Sequence, residues 1–294
     1  MHALAMLNRP SADAPPHHDG RDTFQLVDPD APQLSVLDLG ATRGDGVFET
    51  ISAAHGVPQA LEPHLARFVA SAAALDLPTP DQGAWRAAIT AVLDAIGDVP
   101  EASVKVVYTR GIEGDGRPTG WVYGSVAPDF SAVRAHGVRV VTLDRGYRHD
   151  VATTSPWLLA GAKTLSYAVN RAVLREAKRR GADDVIFISS DGFVLEGPTS
   201  SVLLLRGDTL VTPGTGLAIL EGTTQGSIFE FARERGLKTT FALEPASALR
   251  EADALWLVSS VRHAAPVIEL DGVAVPGDPA LTDAMNEFLA SRTA

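Results

Sequence analysis

The sequence predicts an α+β protein of two domains, and three observations support this prediction. The 294 residues are enough for two hydrophobic cores. Short runs of β-branched and aromatic residues alternate with turns and amphipathic helical segments in both halves. The segment VAPDFSAVRAH, which ends at residue 136, is typical of a linker. We therefore expect a smaller N-terminal α+β domain at 24–127, a linker at 128–136 and a larger C-terminal domain at 137–294.

The first 23 residues are rich in Pro, Asp, Ala and His and show no clear period. This composition predicts a poorly ordered or loosely packed extension. His17 and His18 are adjacent in this stretch, and we interpret them as solvated because no other ligand lies at a spacing that completes a metal site. No bound metal is expected.

Composition excludes several classes of function. The formal net charge is −11, whereas nucleic-acid binding needs clustered Lys and Arg, so no nucleic-acid partner is expected. The chain has no cysteine, which rules out disulfides and thiolate chemistry. No segment approaches the ~18 apolar residues of a membrane span, and the N-terminus does not have the pattern of a signal peptide. We expect a cytoplasmic protein with no membrane partner.

The N-terminal domain is predicted to contain a strand followed by two helices. Gly44-Asp45-Gly46 suits a tight turn before the strand VFETI. Residues 61–77 and 81–97 have apolar residues at helical spacing. Arg67 lies beside the apolar stripe of the first helix, where its stem could simply cover the core.

A second strand, SVKVVYTRG, leads into the loop IEGDGRPTG and then the strand WVYGSVAP. This loop carries three glycines, and Arg110 and Arg117 lie near its two ends, so it is a candidate site for a substrate carboxylate. Its Gly-x-Gly does not open a helix, which excludes a dinucleotide-binding fingerprint.

The segment Leu159–Ser201 is the centre of the predicted chemistry. It is expected to form a loop carrying Lys163, a helix at about 166–179, and a hairpin that turns at Asp191-Gly192 and delivers Glu196. An amine in apolar surroundings loses its charge more easily and becomes a nucleophile. A carboxylate beside a pyridine nitrogen keeps that nitrogen protonated. Each residue alone is more often a solvated side chain, but together they match a pyridoxal phosphate site.

Two later segments are candidates for anion binding. Gly222-Thr223-Thr224 precedes a predicted helix that ends near Gly236, which is either an anion site or an ordinary N-cap. A strand ends at Ser259-Ser260 and is followed by Arg262, which could face a substrate or lie in a solvated loop.

The motifs RGDGVFET, AGAKTLSYAVNR, GADDVIFISSDGFVLEGPTSSV and ILEGTTQG together resemble the class IV, or fold-type IV, pyridoxal phosphate enzymes. This family includes branched-chain aminotransferases, D-amino acid aminotransferases and 4-amino-4-deoxychorismate lyases. The resemblance extends from about Val27 to near the C-terminus. It implies a pyridoxal 5'-phosphate cofactor, a smaller N-terminal α/β sandwich, a larger C-terminal β-barrel-like domain with helices, and a homodimer.

The resemblance also implies a role for each matched residue. Lys163 would form the Schiff base and act as the catalytic base, and Arg67, in the pattern H-x-x-R, would contact the phosphate. The implied cofactor-binding residues are Arg67, Lys163, Tyr167, Glu196, Ser201, Gly222, Thr223, Thr224, Ser259 and Ser260. The implied substrate-binding residues are Phe48, Arg110, Arg117 and Arg262.

Within the family, the sequences of these motifs are most similar to those of the lyases. We therefore expect a lyase of folate biosynthesis that converts 4-amino-4-deoxychorismate to 4-aminobenzoate and pyruvate through removal of an α-proton. The alternative is an aminotransferase that acts on D-amino acids or branched-chain L-amino acids with 2-oxoglutarate. A protein that binds the cofactor without catalysis is a more remote alternative. In each catalytic case the substrate is a small amine that carries a carboxylate.

Overall fold

The structure is a computed structural model that describes residues 1–8 and 23–292. The chain forms two compact units. The N-terminal unit comprises Met1–Pro128 together with Ala162–Tyr167, and the C-terminal unit comprises Asp129–Gly161 and Ala168–Arg292. The chain thus leaves the C-terminal unit after Gly161 and re-enters it at Ala168. Lys163, expected in the C-terminal domain, belongs to the N-terminal unit instead.

The described part of the N-terminal unit contains strands and helices that are mostly close to their expected positions. In chain order they are β1 (His2–Leu7), β2 (Phe24–Val27), α1 (Leu39–Arg43), β3 (Gly46–Ala54), β4 (Val57–Pro58), α2 (Leu61–Ala74), α3 (Gln82–Ile96), β5 (Ala102–Thr109) and β6 (Thr119–Val126).

The N-terminal unit is one sheet with a layer of helices on one face. Its strands follow the order β2-β1-β6-β5-β3-β4, and all neighbours are antiparallel. Alternate residues of β3, among them Val47 and Ile51, are buried, and so are Leu65 and Phe68 of α2 and Ile89 of α3. Since side chains alternate along a strand, Phe48 projects from the opposite face of the sheet.

Strand β1 lies in the segment that was predicted to be a poorly ordered N-terminal extension, so that prediction is wrong for residues 2–7. Residues 2–7 pair with both β2 and β6, and Ala3, Leu4 and Ala5 are buried. The run ALAML is short, and the residues that follow it are rich in Pro and Asp, so the local pattern did not predict a strand. Its partner β6 lies more than a hundred residues away in the sequence, where local patterns give no information. The rest of that prediction falls on residues 9–22, which lie outside the described residues.

The C-terminal unit has a mixed sheet and several helices. In chain order its described elements are α4 (Ser131–His136), β7 (Val138–Asp144), α5 (Val151–Thr154), α6 (Ala168–Arg179), β8 (Asp184–Ile188), β9 (Ser201–Arg206), β10 (Thr209–Pro213), α7 (Thr223–Glu234), β11 (Lys238–Ala242), α8 (Ala248–Glu251), β12 (Ala254–Ser259), β13 (His263–Leu270), β14 (Val273–Ala274) and α9 (Pro279–Ser291).

Its sheet runs in the order β11-β10-β9-β12-β13-β7-β8, with β14 on β13. The pairs β10/β11, β13/β7 and β7/β8 are parallel. Hydrophobic clusters lie on both faces, one around Leu204 and Leu257 and another in which Trp256 packs with α7 and α9. The combination of helix-covered sheets in both units confirms the predicted α+β, two-domain fold class.

The expected linker differs from what the structure shows. The division between the units falls between Pro128 and Asp129, and residues 131–136 form helix α4 in the C-terminal unit. Arg134 of this helix donates hydrogen bonds to the carbonyl oxygens of Val261 and Arg262, which attaches the helix to its own unit. Within the described residues, no helix combines the length and apolar character needed to cross a membrane.

Candidate active site

The backbone of Lys163 is held by two elements of the N-terminal unit. Its carbonyl accepts a hydrogen bond from the Phe48 amide of β3 at 3.0 Å. Its own amide donates to the Ser71 hydroxyl of α2 at 3.1 Å. The neighbouring Leu165 amide donates to the Gly46 carbonyl at 2.8 Å. Because both the donor and the acceptor of Lys163 are satisfied, the starting point of its side chain is fixed.

The Lys163 amine lies among aromatic rings. Its Nζ is 4.5 Å from the centroid of the Phe48 ring and 5.9 Å from that of Tyr167. The two rings pack edge to face, with centroids 5.1 Å apart. An ammonium at such distances is attracted by the face of a ring. The structure therefore brings together three predicted residues: Lys163, Tyr167 and Phe48.

Arg67 belongs to a buried cluster with Glu49 and His64, which we call the Arg67 cluster. Arg67 binds Glu49 with both Nε and Nη2, at 2.8 and 2.7 Å. His64 Nδ1 lies 2.8 Å from the second oxygen of the carboxylate. Glu49 and His64 are each only 1% exposed. Arg67 and His64 thus supply hydrogen-bond partners to the buried carboxylate of Glu49.

The protonation states of the cluster follow from these contacts. Burial alone would raise the pKa of Glu49, but the charge and hydrogen bonds of Arg67 and the bond to His64 lower it to about 2. Burial lowers the pKa of His64, and the bond to Glu49 only partly opposes it. His64 is therefore neutral at pH 7. Since an ionised carboxylate only accepts, His64 must donate to it from Nδ1–H.

In the C-terminal unit, Glu196 lies where the hairpin returns from its turn. The turn uses Gly192 at φ 92°, and the Phe187 amide donates to the Glu196 carbonyl at 2.9 Å. The side-chain Oε2 accepts from the Leu220 amide at 3.1 Å. Burial raises the pKa of the nearby Tyr147, and the negative charge of Glu196 adds to this shift. Glu196 is thus held by a hydrogen bond to the segment that leads into α7.

Hydroxyl groups and a glycine surround the N-terminus of α7. We call Ser201, Gly222, Thr223, Thr224 and Ser260 the α7 cluster. A Cβ on Gly222 would lie 2.3 Å from the Ser201 hydroxyl, so only glycine fits there without displacement. The Thr224 hydroxyl is 3.4 Å from that of Ser260. The helix begins at Thr223 without a side-chain cap. First-turn amides and several hydroxyls that converge in this way suit an anion. Ser259, also predicted here, ends β12 and pairs with His263 in the register of the sheet.

Arg262, predicted to face a substrate, forms an ion pair with Asp184. Its Nη1 donates to Asp184 at 2.6 Å, and the two side chains are 14% and 2% exposed. Its Nε and Nη2 are fully buried and have no hydrogen-bond partner among the described residues. A substrate role for Arg262 stays a prediction. With Arg134, which binds the backbone carbonyls of 261 and 262, the ion pair holds the turn that follows Ser260.

The other two predicted arginines also have partners. Arg110 binds both oxygens of Asp45 and the carbonyl oxygens of Leu75 and Asp76. Four acceptors contact its guanidinium and connect these loops, and a substrate role for Arg110 stays a prediction. Arg117 pairs with Asp115, two residues before it. A substrate role for Arg117 stays a prediction.

Sequence reasoning missed Glu49 as a site residue, although a signal for it exists. Val47 and Ile51, two residues to either side, share the buried face of β3, so the period of a strand places Glu49 on that face as well. A carboxylate there requires a partner. The motif H-x-x-R on the following helix supplies two.

Comparison with known proteins agrees with this arrangement. The family model described as "Amino-transferase class IV" matches residues 46–270. A protein of Mycobacterium tuberculosis named bifunctional aminodeoxychorismate lyase / D-amino acid transaminase is 43% identical over 265 residues, which cover 87% of this chain and 92% of that protein.

Two solved structures are similar over nearly the whole chain. The fold IV transaminase CpuTA1 from Curtobacterium pusillum is 55% identical with a TM-score of 0.93, covering 99% of this chain and 97% of the other. A hypothetical aminotransferase from Mycobacterium tuberculosis in its PLP-bound form is 39% identical with a TM-score of 0.88, covering 98% and 99%. The resemblance seen in the motifs is confirmed: this chain belongs to the class IV aminotransferase family, whose members depend on pyridoxal phosphate.

Proposed function

We propose that this protein is a lyase that converts 4-amino-4-deoxychorismate to 4-aminobenzoate and pyruvate. The observation that carries the proposal is the 43% identity, over 87% of the chain, to a protein named for this activity together with D-amino acid transamination. The sequence motifs around Phe48, Lys163 and Arg262 also favour the lyase. The reaction needs no second substrate, because the leaving pyruvate group is already part of the molecule.

The side chains around Lys163 and in the α7 cluster fit the cofactor. Lys163 offers an amine beside two aromatic rings. The α7 cluster offers amides and hydroxyls for a phosphate, and the absence of a Cβ on Gly222 lets the Ser201 hydroxyl approach the start of the helix. Bound pyridoxal phosphate supplies an electron sink for the electrons left when a proton departs from the carbon that bears the amine.

The chain's own residues would then do the following. The Lys163 amine would hold the cofactor and, in the reaction, would take the proton from the amine-bearing carbon of the substrate. Glu196 holds the proton on the pyridine nitrogen. Arg67 and the α7 cluster hold the phosphate. On the neighbouring carbon the C–O bond breaks, pyruvate leaves as its enolate and takes up a proton, and the ring becomes aromatic.

Transamination is the second candidate, because the same relative is also named a D-amino acid transaminase and a 55% identical structure is that of a fold IV transaminase. That reaction breaks no C–O bond of the substrate and needs a keto acid as second substrate. The residues that remove the first proton are the same in both reactions, so they do not distinguish the two.

The test gives purified holoenzyme enzymatically prepared 4-amino-4-deoxychorismate and follows 4-aminobenzoate and pyruvate together. D-alanine and L-leucine, each with 2-oxoglutarate, are assayed in parallel. Equal release of both products without a keto acid would support the lyase. If that substrate is inert and one amino acid reacts, the lyase proposal fails and the chirality of the donor names the aminotransferase. If no amine reacts although the cofactor is attached to Lys163, the protein binds the cofactor without catalysis.

The homodimer implied by the family is also a proposal. Light scattering after gel filtration would measure the mass of the holoenzyme against the 30.9 kDa of one chain. A mass of one chain under assay conditions would contradict it.

A further inference from the structure

The end of helix α9 lies beside the start of helix α7 in the C-terminal unit. Arg292, the residue that follows α9, contacts Ser227 of α7. One turn further along α7, the Phe231 ring lies against that of Phe288 of α9, with centroids 5.2 Å apart. The contacts advance along α7 while they go back along α9, so the two helices run antiparallel. Arg292 is therefore next to the first turns of α7, where the α7 cluster lies.

The hydrophobic core fixes this position. Ile228 of α7 and Met285 and Leu289 of α9 are buried in one cluster with Trp256 of β12. Leu289 also accepts a hydrogen bond at its carbonyl oxygen from Arg292 Nε, at 3.1 Å. The chain thus leaves α9 at a point that is determined by the packing of the two helices.

A single hydroxyl connects Arg292 to the first residue of α7. Arg292 Nη1 donates a hydrogen bond to the Ser227 hydroxyl oxygen at 3.2 Å. The Ser227 hydroxyl in turn donates to the carbonyl oxygen of Thr223 at 3.2 Å. Both bonds can form at once, because a hydroxyl donates one hydrogen and accepts at its lone pairs. The guanidinium is therefore held against the end of α7 that carries the α7 cluster.

The guanidinium keeps its positive charge in this position. Burial lowers the pKa of Arg292 to about 10, which is still well above neutral pH. Its Nη2 is inaccessible to solvent, and the acceptors of its Nε and Nη1 are neutral groups. A charge that is removed from water is stabilised by an opposite charge nearby. A phosphate at the start of α7 would supply such a charge.

We propose that Arg292 strengthens phosphate binding at the α7 cluster by holding a positive charge beside the first turn of α7. The members of the cluster are neutral, and this charge adds to the partial positive charge at the N-terminus of the helix. Arg292 is thus a positioning residue that acts through Ser227 and the helix, without a contact to the cofactor. The inference rests on the proposed phosphate role of the α7 cluster, and it holds for either of the two candidate reactions.

A role confined to capping α9 is the alternative. The Nε of Arg292 satisfies one of the last carbonyls of that helix, and a cation at a helix C-terminus is favourable by itself. The two roles predict different binding. Loss of a cap would affect the binding of pyridoxal and of pyridoxal phosphate alike. Loss of a charge beside the phosphate site would affect only the ligand that carries a phosphate.

The experiment measures the dissociation constants of pyridoxal phosphate and of pyridoxal for the full-length apoprotein by equilibrium dialysis. Arg292→Met removes the charge, and Arg292→Lys keeps it. We expect Arg292→Met to weaken binding of pyridoxal phosphate about tenfold, the size of one charge–charge interaction in a protein, with pyridoxal within about twofold of the parent. Arg292→Lys should recover most of the affinity.

Arg235→Met is the matched control, because it removes a positive charge at the opposite end of the same helix. Arg235 follows α7, is exposed and lies against the Phe231 ring. Its affinity for both ligands should match that of the parent. Arg292→Gln, which can still donate to Ser227, takes the place of Arg292→Met if the latter does not fold.

Inorganic phosphate tests the same charge without the pyridine ring. Its inhibition constant, measured as a competitor of pyridoxal phosphate, should also rise about tenfold in Arg292→Met. Equal losses for pyridoxal and its phosphate, or an Arg292→Lys variant as weak as Arg292→Met, would overturn the inference.

Gly222→Ala, measured in parallel, separates the inference from the assignment on which it rests. If Gly222→Ala weakens binding of pyridoxal phosphate alone and Arg292→Met changes neither ligand, the inference fails and the phosphate role of the α7 cluster stands. If neither variant changes the affinity for pyridoxal phosphate, both fail. No turnover is measured, so the result is independent of whether the protein is a lyase or an aminotransferase.

Discussion

Two regions of this protein are suited to an anion, and they are built in opposite ways. The Arg67 cluster in the N-terminal unit uses a full positive charge, and that charge is bound to the buried carboxylate of Glu49. The α7 cluster in the C-terminal unit uses first-turn amides and neutral hydroxyls around Gly222. The Arg67 cluster would attract an anion through a charged group, whereas the α7 cluster would attract it through the dipoles of neutral groups.

The difference has physical consequences. A charged group can be buried only with a partner, so the Arg67 cluster requires Glu49 and His64 and responds to acid. Amides and hydroxyls carry no net charge, so the α7 cluster depends on shape instead and is sensitive to a single added methyl group. We therefore expect the Arg67 cluster to be disrupted when a charged group is neutralised. We expect the α7 cluster to be disrupted when a side chain becomes larger.

The largest expected effect comes from removing the attachment point of the cofactor. Lys163→Ala should lower turnover by at least about 10²–10⁴-fold, because the base that takes the proton is lost. Pyridoxal phosphate should still bind without a covalent bond, since both proposed anion-binding regions are intact. Equilibrium dialysis and activity assays measure the two effects. Turnover near that of the parent would contradict the role of Lys163.

Acid should destabilise the protein partly through Glu49. Its pKa is about 2 in the folded protein against 4.5 ordinarily, so the stabilisation is fully present above pH 4.5 and is lost as pH falls to about 2. The shift corresponds to about 3 kcal/mol. We expect the difference in free energy of unfolding between the parent and Glu49→Gln to shrink by about this amount across that window. Denaturant titrations of the apoprotein at several pH values measure it.

Glu62→Gln is the control for this prediction, because Glu62 lies on α2 as well but forms an exposed pair with Arg86. Its effect on stability at neutral pH should be much smaller than that of Glu49→Gln, because solvent screens an exposed ion pair. A gap between the parent and Glu49→Gln that stays constant from pH 5 to pH 2 would show that folding does not lower the pKa of Glu49.

A smaller effect is expected in the C-terminal unit from Glu196→Gln. The amide side chain can still accept the hydrogen bond from Leu220, so the local structure should persist. Turnover should fall by roughly 10–10²-fold, as for a lost charge-assisted hydrogen bond, while the cofactor stays attached. Stopped-flow absorbance measures the proton-removal step. A normal rate for that step would exclude Glu196 as the partner of the pyridine nitrogen.

The smallest expected effect tests the space in the α7 cluster. In Gly222→Ala the added Cβ would displace the Ser201 hydroxyl, and affinity for pyridoxal phosphate should fall about tenfold, an energy typical of overpacking. Affinity for pyridoxal, which lacks the phosphate, should be unchanged. Gly226→Ala on the same helix is the control, because its Cβ would meet no atom within 4 Å. Equal losses for pyridoxal and its phosphate would indicate general damage instead of a phosphate contact.

Local sequence patterns predicted much of this structure. The helix after Lys163, the hairpin before Glu196 and the helix that follows Gly222 were all expected from periodicity and from glycine positions. Helix α7 begins at Thr223, within the segment 222–224 that was predicted to precede it. These features depend on neighbours in the chain. Their boundaries differ from the predictions by only a few residues.

Features that depend on distant partners were not predicted. Strand β1 pairs with β6, and the ion pair of Arg262 joins residues 78 positions apart. Lys105 meets the Phe48 ring only because β5 pairs with β3 in a particular register. The pattern of apolar residues does not encode such a register, so this contact could be identified only in the structure.

The central claim is that Lys163 is the residue that binds the cofactor covalently. Borohydride reduction of the holoenzyme, digestion and mass spectrometry would map the modified lysine among the four in the chain: Lys105, Lys163, Lys178 and Lys238. The account predicts pyridoxyl phosphate on the peptide that contains Lys163 and on no other. Modification of Lys105, whose amine lies beside the same phenylalanine, with Lys163 left unmodified would contradict it.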